Sequence, residues 1–157
     1  MTFHPLMLTQ AAVVAHLKRP DTQVDFVGDI AEMANDPDPK VQMHLVKSEE
    51  KVVGFFKIDL DFTRKIPELP KNALGLRGLL VGGQYQGLGY GKQLLAMLPQ
   101  YLRRTYTRAN EIWLSVDLAN HAAIHCYEAA GWTTYGALRD GRCGKERVLR
   151  LLLSETP

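Results

Sequence analysis

The sequence predicts a mixed α/β (α+β) domain, and three observations carry that prediction. Helical stretches come first and a β meander follows. The rest of the chain reads strand–helix–strand–helix–strand–strand. No linker interrupts the order, so one domain over 1–157 is expected. The 157 residues are 46% hydrophobic and 23% charged, an ordinary composition for a chain that builds one core.

Taken in order, "LTQAAVVAHL" (Leu8 to Leu17) reads as a helix with Thr9 as N-cap. "RPDTQ" breaks it, and "VDFVGDIAEMAND" (Val24 to Asp36) is a second, weaker helical stretch before the turn "NDPDPK". "VQMHLVKS" (Val41 to Ser48) and "KVVGFFKIDLDF" (Lys51 to Phe62) are β-rich runs joined through Glu49 and Glu50, which predicts a hairpin. In the second run Val52, Phe56, Ile58, Leu60 and Phe62 share one parity, while Lys57, Asp59 and Asp61 share the other. That alternation predicts a strand with one buried face.

"TRKIPELPKN" (Thr63 to Asn72) reads as the most exposed loop of the chain. "ALGLRGLLVG" (Ala73 to Gly82) is a strand, and Gly78 inside it points to a bulge or a close backbone approach. A helix is expected from about Gly89 to Arg104, kinked at Pro99, whose ring nitrogen cannot bond back to Leu95. "NEIWLSVDL" (Asn110 to Leu118) is a strand. "NHAAIHCYEAAG" (Asn120 to Gly131) is a helix that starts near Asn120 and ends at Gly131. "WTTYGAL" and "KERVLRLLL" read as two closing strands.

Several function classes lose support here. The net charge is only +2, and the densest basic patch, "LRRTYTR", reads as a solvated helix end suited to the dipole, so no nucleic-acid partner is expected. Cys126 and Cys143 lack metal-ligand spacing, which fits a reducing cytoplasm. Cys126 is expected to be a small buried apolar residue, and Cys143 to lie in a turn. His121 and His125 have the i, i+4 spacing of a helical zinc pair, but no third ligand is apparent, so no metal is expected. "MTFHPLMLTQ" lacks a charged n-region with a long apolar core, so no signal peptide is expected, and no apolar run approaches the roughly 20 residues of a membrane span.

The chemistry concentrates in "QYQGLGYGKQLL" (Gln84 to Leu95). A Walker A loop ending at Gly91-Lys92 would need glycine where Gln86 stands and a hydroxyl where Gln93 stands. The dinucleotide fingerprint, started at Gly87 and Gly89, would need its third glycine at Lys92. The pattern Q/R-x-x-G-x-G/A fits Gln86, Gly89 and Gly91 in full. Such a loop points a row of backbone N–H groups at a diphosphate, with a helix N-terminus behind them.

On these residues the sequence resembles the GNAT superfamily of acyl-CoA-dependent N-acetyltransferases. "LLVGGQYQGLGYGKQLL" is similar to the family's strand, loop and helix. "NHAAIHCYEAAGW" is similar to its N-x-x-A-x-x-x-Y-x-x-x-G-[FW] helix, through Asn120, Ala123, Tyr127, Gly131 and Trp132. The resemblance runs from about Val52 to the C-terminus. It implies a central mixed, mostly antiparallel sheet with two splayed parallel strands, "LRGLLV" and "EIWLSV", flanked by about four helices.

The resemblance also implies the site. Acetyl-CoA would bind along the backbone of Leu79, Leu80 and Val81, with Leu79 facing the acetyl carbonyl and Val81 the pantetheine. The N–H groups of Gln86, Gly87, Leu88, Gly89, Tyr90, Gly91 and Lys92 would take the pyrophosphate. Asn120, Ala123, Ile124 and Tyr127 lie at i, i+3, i+4 and i+7 on one helix face. Asn120 and Ala123 would accompany the pantetheine arm, and Tyr127 would protonate the departing coenzyme A thiolate. Leu79 and Tyr127 are thus the catalytic candidates.

No general base is legible. Gly75 stands where some members carry a carboxylate, with Arg77 two residues on. Asp59, Asp61, Asp117 and a water chain remain as alternatives. Asp59, Asp61, Arg77 and Asp117 are the candidate substrate residues, and the acidic ones would favour a cationic small amine. The expected acceptor is a small-molecule primary amine: a polyamine, an amino acid or an antibiotic-like amine. A non-catalytic acyl-CoA sensor and an acetyltransferase of protein or peptide N-termini are the alternatives. Dimerisation is common among such domains, and a homodimer is compatible with the sequence.

Overall fold

The computed structural model describes residues 1–6, 12–19 and 29–153. Among these residues the strands are β1 (Thr2–Leu6), β2 (Val41–Ser48), β3 (Lys51–Asp59), β4 (Leu74–Val81), β5 (Glu111–Asp117), β6 (Thr133–Thr134), β7 (Arg139–Gly141) and β8 (Gly144–Leu152). The α-helices are α1 (Ile30–Ala34), α2 (Tyr90–Thr105) and α3 (His121–Ala129). The strands hydrogen-bond in the order β1-β2-β3-β4-β5-β8-β6, with β7 on β8. β4 and β5 run parallel, whereas the β1–β2, β2–β3, β5–β8, β6–β8 and β7–β8 pairs are antiparallel. The mixed, mostly antiparallel sheet expected from the sequence is therefore present. The parallel ladder covers two register pairs, Leu74 with Ile112 and Gly75 with Trp113.

The chain divides into two compact units, Met1–Leu60 with Leu76–Leu94, and Asp61–Gly75 with Leu95–Pro157. In the first, β2 and β3 form the expected hairpin, closed at Ser48 and Lys51. Glu49 takes a left-handed φ of 54° in the turn. The expectation of one buried face on β3 fails, because both parities are covered. On one side Phe56 stacks on His44 at 5.0 Å and meets the edge of Phe3 at 5.4 Å. On the other, Phe55 packs with Val14, Leu17, Ala34, Met43, Leu45 and Leu80. Lys57 and Asp59 are buried with it, so the charges of β3 mark an internal polar cluster rather than a solvated face.

The N-terminal half also departs from the sequence reading. β1, which carries Pro5, was not among the expected elements. As an edge strand β1 needs no donor on its outer side, and it pairs with β2 from Thr2–Lys47 to Leu6–Met43. Of the helix expected over Leu8 to Leu17, residues 7–11 lie outside the described residues, and Thr9 with them. Residues 12–14 form a 3₁₀ turn, with Leu17 N–H donating to Val14 O at 3.0 Å. Of the second expected helix, residues 24–28 also lie outside. α1 begins after Asp29, whose carboxylate accepts from Glu32 N–H at 3.1 Å.

Gly54 of β3 lies against β4. A Cβ built there falls 2.2 Å from the Leu80 carbonyl oxygen, and a backbone atom cannot swing aside. Gly54→Ala should therefore destabilise the protein by about 1–3 kcal/mol, the usual cost of overpacking. A thermal melt within error of wild type would contradict this.

The second unit packs around Phe62, Ile66, Leu69, Ala73, Trp113 and Val148. Thr63 to Asn72 was expected to be exposed; it is instead anchored through Ile66 and Leu69, which are 3% and 6% exposed. Gly75 admits no side chain without displacement, since a Cβ there falls 2.3 Å from the Phe62 ring. β5 and β8 pair over seven positions, from Glu111–Leu152 to Asp117–Glu146. "WTTYGAL" yields only the two-residue β6 rather than a full strand. β7 and β8 make a separate hairpin whose turn holds Cys143, as expected. α2 runs through Pro99 as one helix, with Leu94, Leu95, Leu98 and Leu102 as its buried residues. Cys126, expected to be buried, is exposed. No helix among the described residues is long and apolar enough to cross a membrane.

Candidate functional site

The glycine segment is built by local turn chemistry. Gly83–Tyr85 form a 3₁₀ turn. Gly87 and Gly89 then take φ of 76° and 82°, a left-handed region that glycine enters without steric cost. The first bond of α2 runs from Gln93 N–H to Gly89 O at 3.0 Å. Among the described residues the N–H groups of Gly87, Leu88, Gly89, Tyr90, Gly91 and Lys92 have no backbone acceptor. A Cβ at Gly87, Gly89 or Gly91 would meet nothing within 4 Å, so the approach to these donors is open. Six donors in sequence, at a helix N-terminus and with Lys92 beside them, make a cradle for an anion. Gln86 is the exception to the expected row. Its own N–H is donated to Gly83 O at 3.3 Å, and its side chain donates to Val81 O at 3.3 Å. It braces the turn instead of adding a donor.

Upstream, β4 carries the irregularity expected at Gly78, which takes φ of 57°. Leu79 next to it is half-buried, and Leu80 and Val81 are buried. A Cβ at Gly78 would fall 3.0 Å from both Lys57 Cε and Met33 Cε. Gly78 thus lies against a charged cluster that sequence reasoning caught only in part. Arg77 Nη1 donates to Asp59 Oδ2 at 3.2 Å, and Lys57 Nζ donates to Asp36 Oδ2 at 3.0 Å. Burial works to raise the Asp36 carboxyl. The Asp38 N–H and the Lys57 ammonium, with Arg77 further off, outweigh burial and hold it below the usual range. Asp36 and Lys57 were missed; the signal available was a lysine inside an otherwise buried strand.

In the second unit α3 is capped by Asn120, whose side-chain oxygen accepts from Ala123 N–H at 3.2 Å. The cap commits the oxygen of Asn120 and the N–H of Ala123, leaving the Asn120 amide NH₂ and the Ala123 methyl for a ligand. Tyr127 is two turns on. Its ring meets Trp132 edge-on at 5.6 Å. Burial, helped by Cys126, pushes its phenol well above the ordinary value. Asp117 accepts from Asn120 N–H at 2.9 Å through its carbonyl. It also lines a recess of about 340 Å³ with Leu118, Ala119, His121, Cys143, Gly144 and Lys145. Asp61 precedes the 3₁₀ turn Phe62–Arg64 and accepts from the Thr63 hydroxyl. Asp59 offers no free carboxylate to a cationic substrate, since it is buried and ion-paired.

The chain thus combines a mostly antiparallel sheet containing one parallel pair, a left-handed Gly78 in β4 and an open row of main-chain donors at the N-terminus of α2. The chain belongs to the acetyltransferase (GNAT) family, whose model matches residues 11–132. It is 31% identical over 81 residues to an uncharacterized N-acetyltransferase of Bacillus subtilis, YbbJ; the match spans 52% of this chain and 51% of that protein. Its fold is similar to that of AAC(6')-Ib in complex with paromomycin and acetyl-CoA, at TM-score 0.77, 18% identity and coverage of 96% and 92% of the two chains. It is also similar to spermidine N-acetyltransferase from Vibrio cholerae in complex with CoA and spermine, at TM-score 0.68, 15% identity and coverage of 97% and 95%.

Proposed function

We propose that residues 1–157 act as one N-acetyltransferase domain, moving an acetyl group from acetyl-CoA to the primary amine of a small molecule by direct attack on the thioester. The observation that carries this reading is the row of acceptor-free N–H groups from Gly87 to Lys92 in open space. These amides hold the pyrophosphate, and each charged hydrogen bond contributes about 1.5–3 kcal/mol. The backbone of Leu79 to Val81, past the Gly78 bulge, holds the acyl group and the pantetheine. Leu79 N–H steadies the charge that develops on the acyl oxygen. The Asn120 amide and the Ala123 methyl accompany the pantetheine, and Tyr127 returns a proton to the departing sulfur. No metal takes part in this scheme. The two exposed cysteines, Cys126 and Cys143, suit a reducing cytoplasm.

Calorimetry with coenzyme A and acetyl-CoA, each in competition with ATP and NAD, tests the carrier. Both coenzyme A forms should bind, and the competitors should not displace them. Thiol release with a panel of primary amines then tests turnover. Binding without release under any amine would leave an acyl-CoA sensor; no binding by folded protein would remove the whole reading.

A further inference from the structure

The acceptor class can be read from the charged cluster against Gly78 of β4, given the acetyltransferase reading above. The cluster holds two cations, Lys57 and Arg77, and two anions, Asp36 and Asp59. Its formal charge cancels, but its exposure does not. The side chains of Asp59 and Lys57 are 3% and 9% exposed and that of Asp36 is 21% exposed, whereas that of Arg77 is 41% exposed. The member that faces solvent is the guanidinium. Among the described residues its only hydrogen bond is the one from Nη1 to Asp59. A guanidinium carries five N–H donors, so most of the fork remains for a ligand. Asp59 holds one nitrogen of that fork, at 3.2 Å. Arg77 also stands two residues before Leu79, whose N–H is assigned to the acyl oxygen.

We infer that the acceptor amine carries a carboxylate, held by the free side of the Arg77 fork, so that amino-acid-type amines are preferred over polyamines. A planar fork suits a planar carboxylate, and a polycation brought to the same place meets like charge. Asp36 and Asp59 give no counterweight, because each already accepts from a cation.

The test pairs each α-amino acid with its own carboxamide, with spermidine as the cationic comparator, and reads kcat/KM by thiol release. The best amino acid should exceed its carboxamide by about 10–100-fold, the worth of one charged hydrogen bond. Arg77→Gln alone would strand a buried carboxylate, so Asp59→Asn with Arg77→Gln is the informative variant, with its fold checked by circular dichroism and coenzyme A binding. It should lose the preference through a raised KM for the acids. Arg77→Lys, which keeps the charge without the fork, should retain part of the preference and serves alone should the double variant misfold. Equal or better turnover of spermidine or the carboxamides by the wild type overturns the inference and leaves the acetyltransferase reading standing. So does a preference that survives in the double variant, or one undiminished in Arg77→Lys. Coenzyme A binding with no turnover of any amine overturns both.

Discussion

Tyr127→Phe should lower kcat with the preferred amine by about 10²-fold, the low end of what a positioned general acid contributes, with coenzyme A affinity unchanged. Burial holds the Tyr127 phenol above its ordinary value, so the donor form persists at every physiological pH. The same shift weakens the proton transfer. A thiolate with an ordinary thiol pKa near 8.5 is a poorer proton acceptor than a phenolate of pKa 10 or above, so the transfer helps the departing sulfur without running downhill. That is why the low end of the range is expected. The variant is mild structurally. The ring keeps its edge contact with Trp132 at 5.6 Å, and among the described residues the hydroxyl has no hydrogen bond to lose. The pH profile adds a second readout: no alkaline loss of kcat attributable to Tyr127 should appear below about pH 10. Turnover within twofold of wild type would return Tyr127 to the role of a packing residue.

What could be read from the sequence is local in the chain. The loop from Gln86 to Lys92 depends on glycines at fixed offsets, and Gly87 and Gly89 do occupy the left-handed region. Gly78 announces the β4 irregularity for the same reason, and Asn120 caps α3 as its position suggests. What was misread depends on residues far apart in sequence. The second face of β3 is covered by Val14, Leu17 and Leu80, and nothing in the alternation of β3 itself reveals that cover. Asp59 looks like a solvated carboxylate until Arg77, 18 residues on, is seen to hold it. Ile66 and Leu69 each precede a proline in a segment that reads as loop, yet they supply two of the buried residues of the second unit. Pro5 argues against a strand everywhere except at a sheet edge, and only the strand order shows that β1 is one.

The largest stability effect expected comes from His44, a residue that sequence reading passed over. It is 1% exposed and stacked on Phe56, and burial lowers its pKa from 6.5 to about 4. A histidine that resists protonation in the native state still takes a proton in the unfolded chain. Between about pH 4 and 6.5 the unfolded state therefore binds more protons, and stability rises with pH across that window. The contribution is full above pH 6.5 and is lost as pH falls toward 4. Near pH 4.5 the loss from this one group reaches about 2–3 kcal/mol, since each pKa unit is worth about 1.4 kcal/mol. Urea melts of wild type and His44→Leu at pH 7.5 and 4.5 isolate it. Leucine removes the titration but keeps an apolar side chain between β1 and β3, so the variant should lose less stability on acidification by that amount. Carboxylates that titrate lower are common to both proteins and cancel in the comparison. Parallel losses in the two proteins would mean that His44 takes up its proton without leaving its place against Phe56.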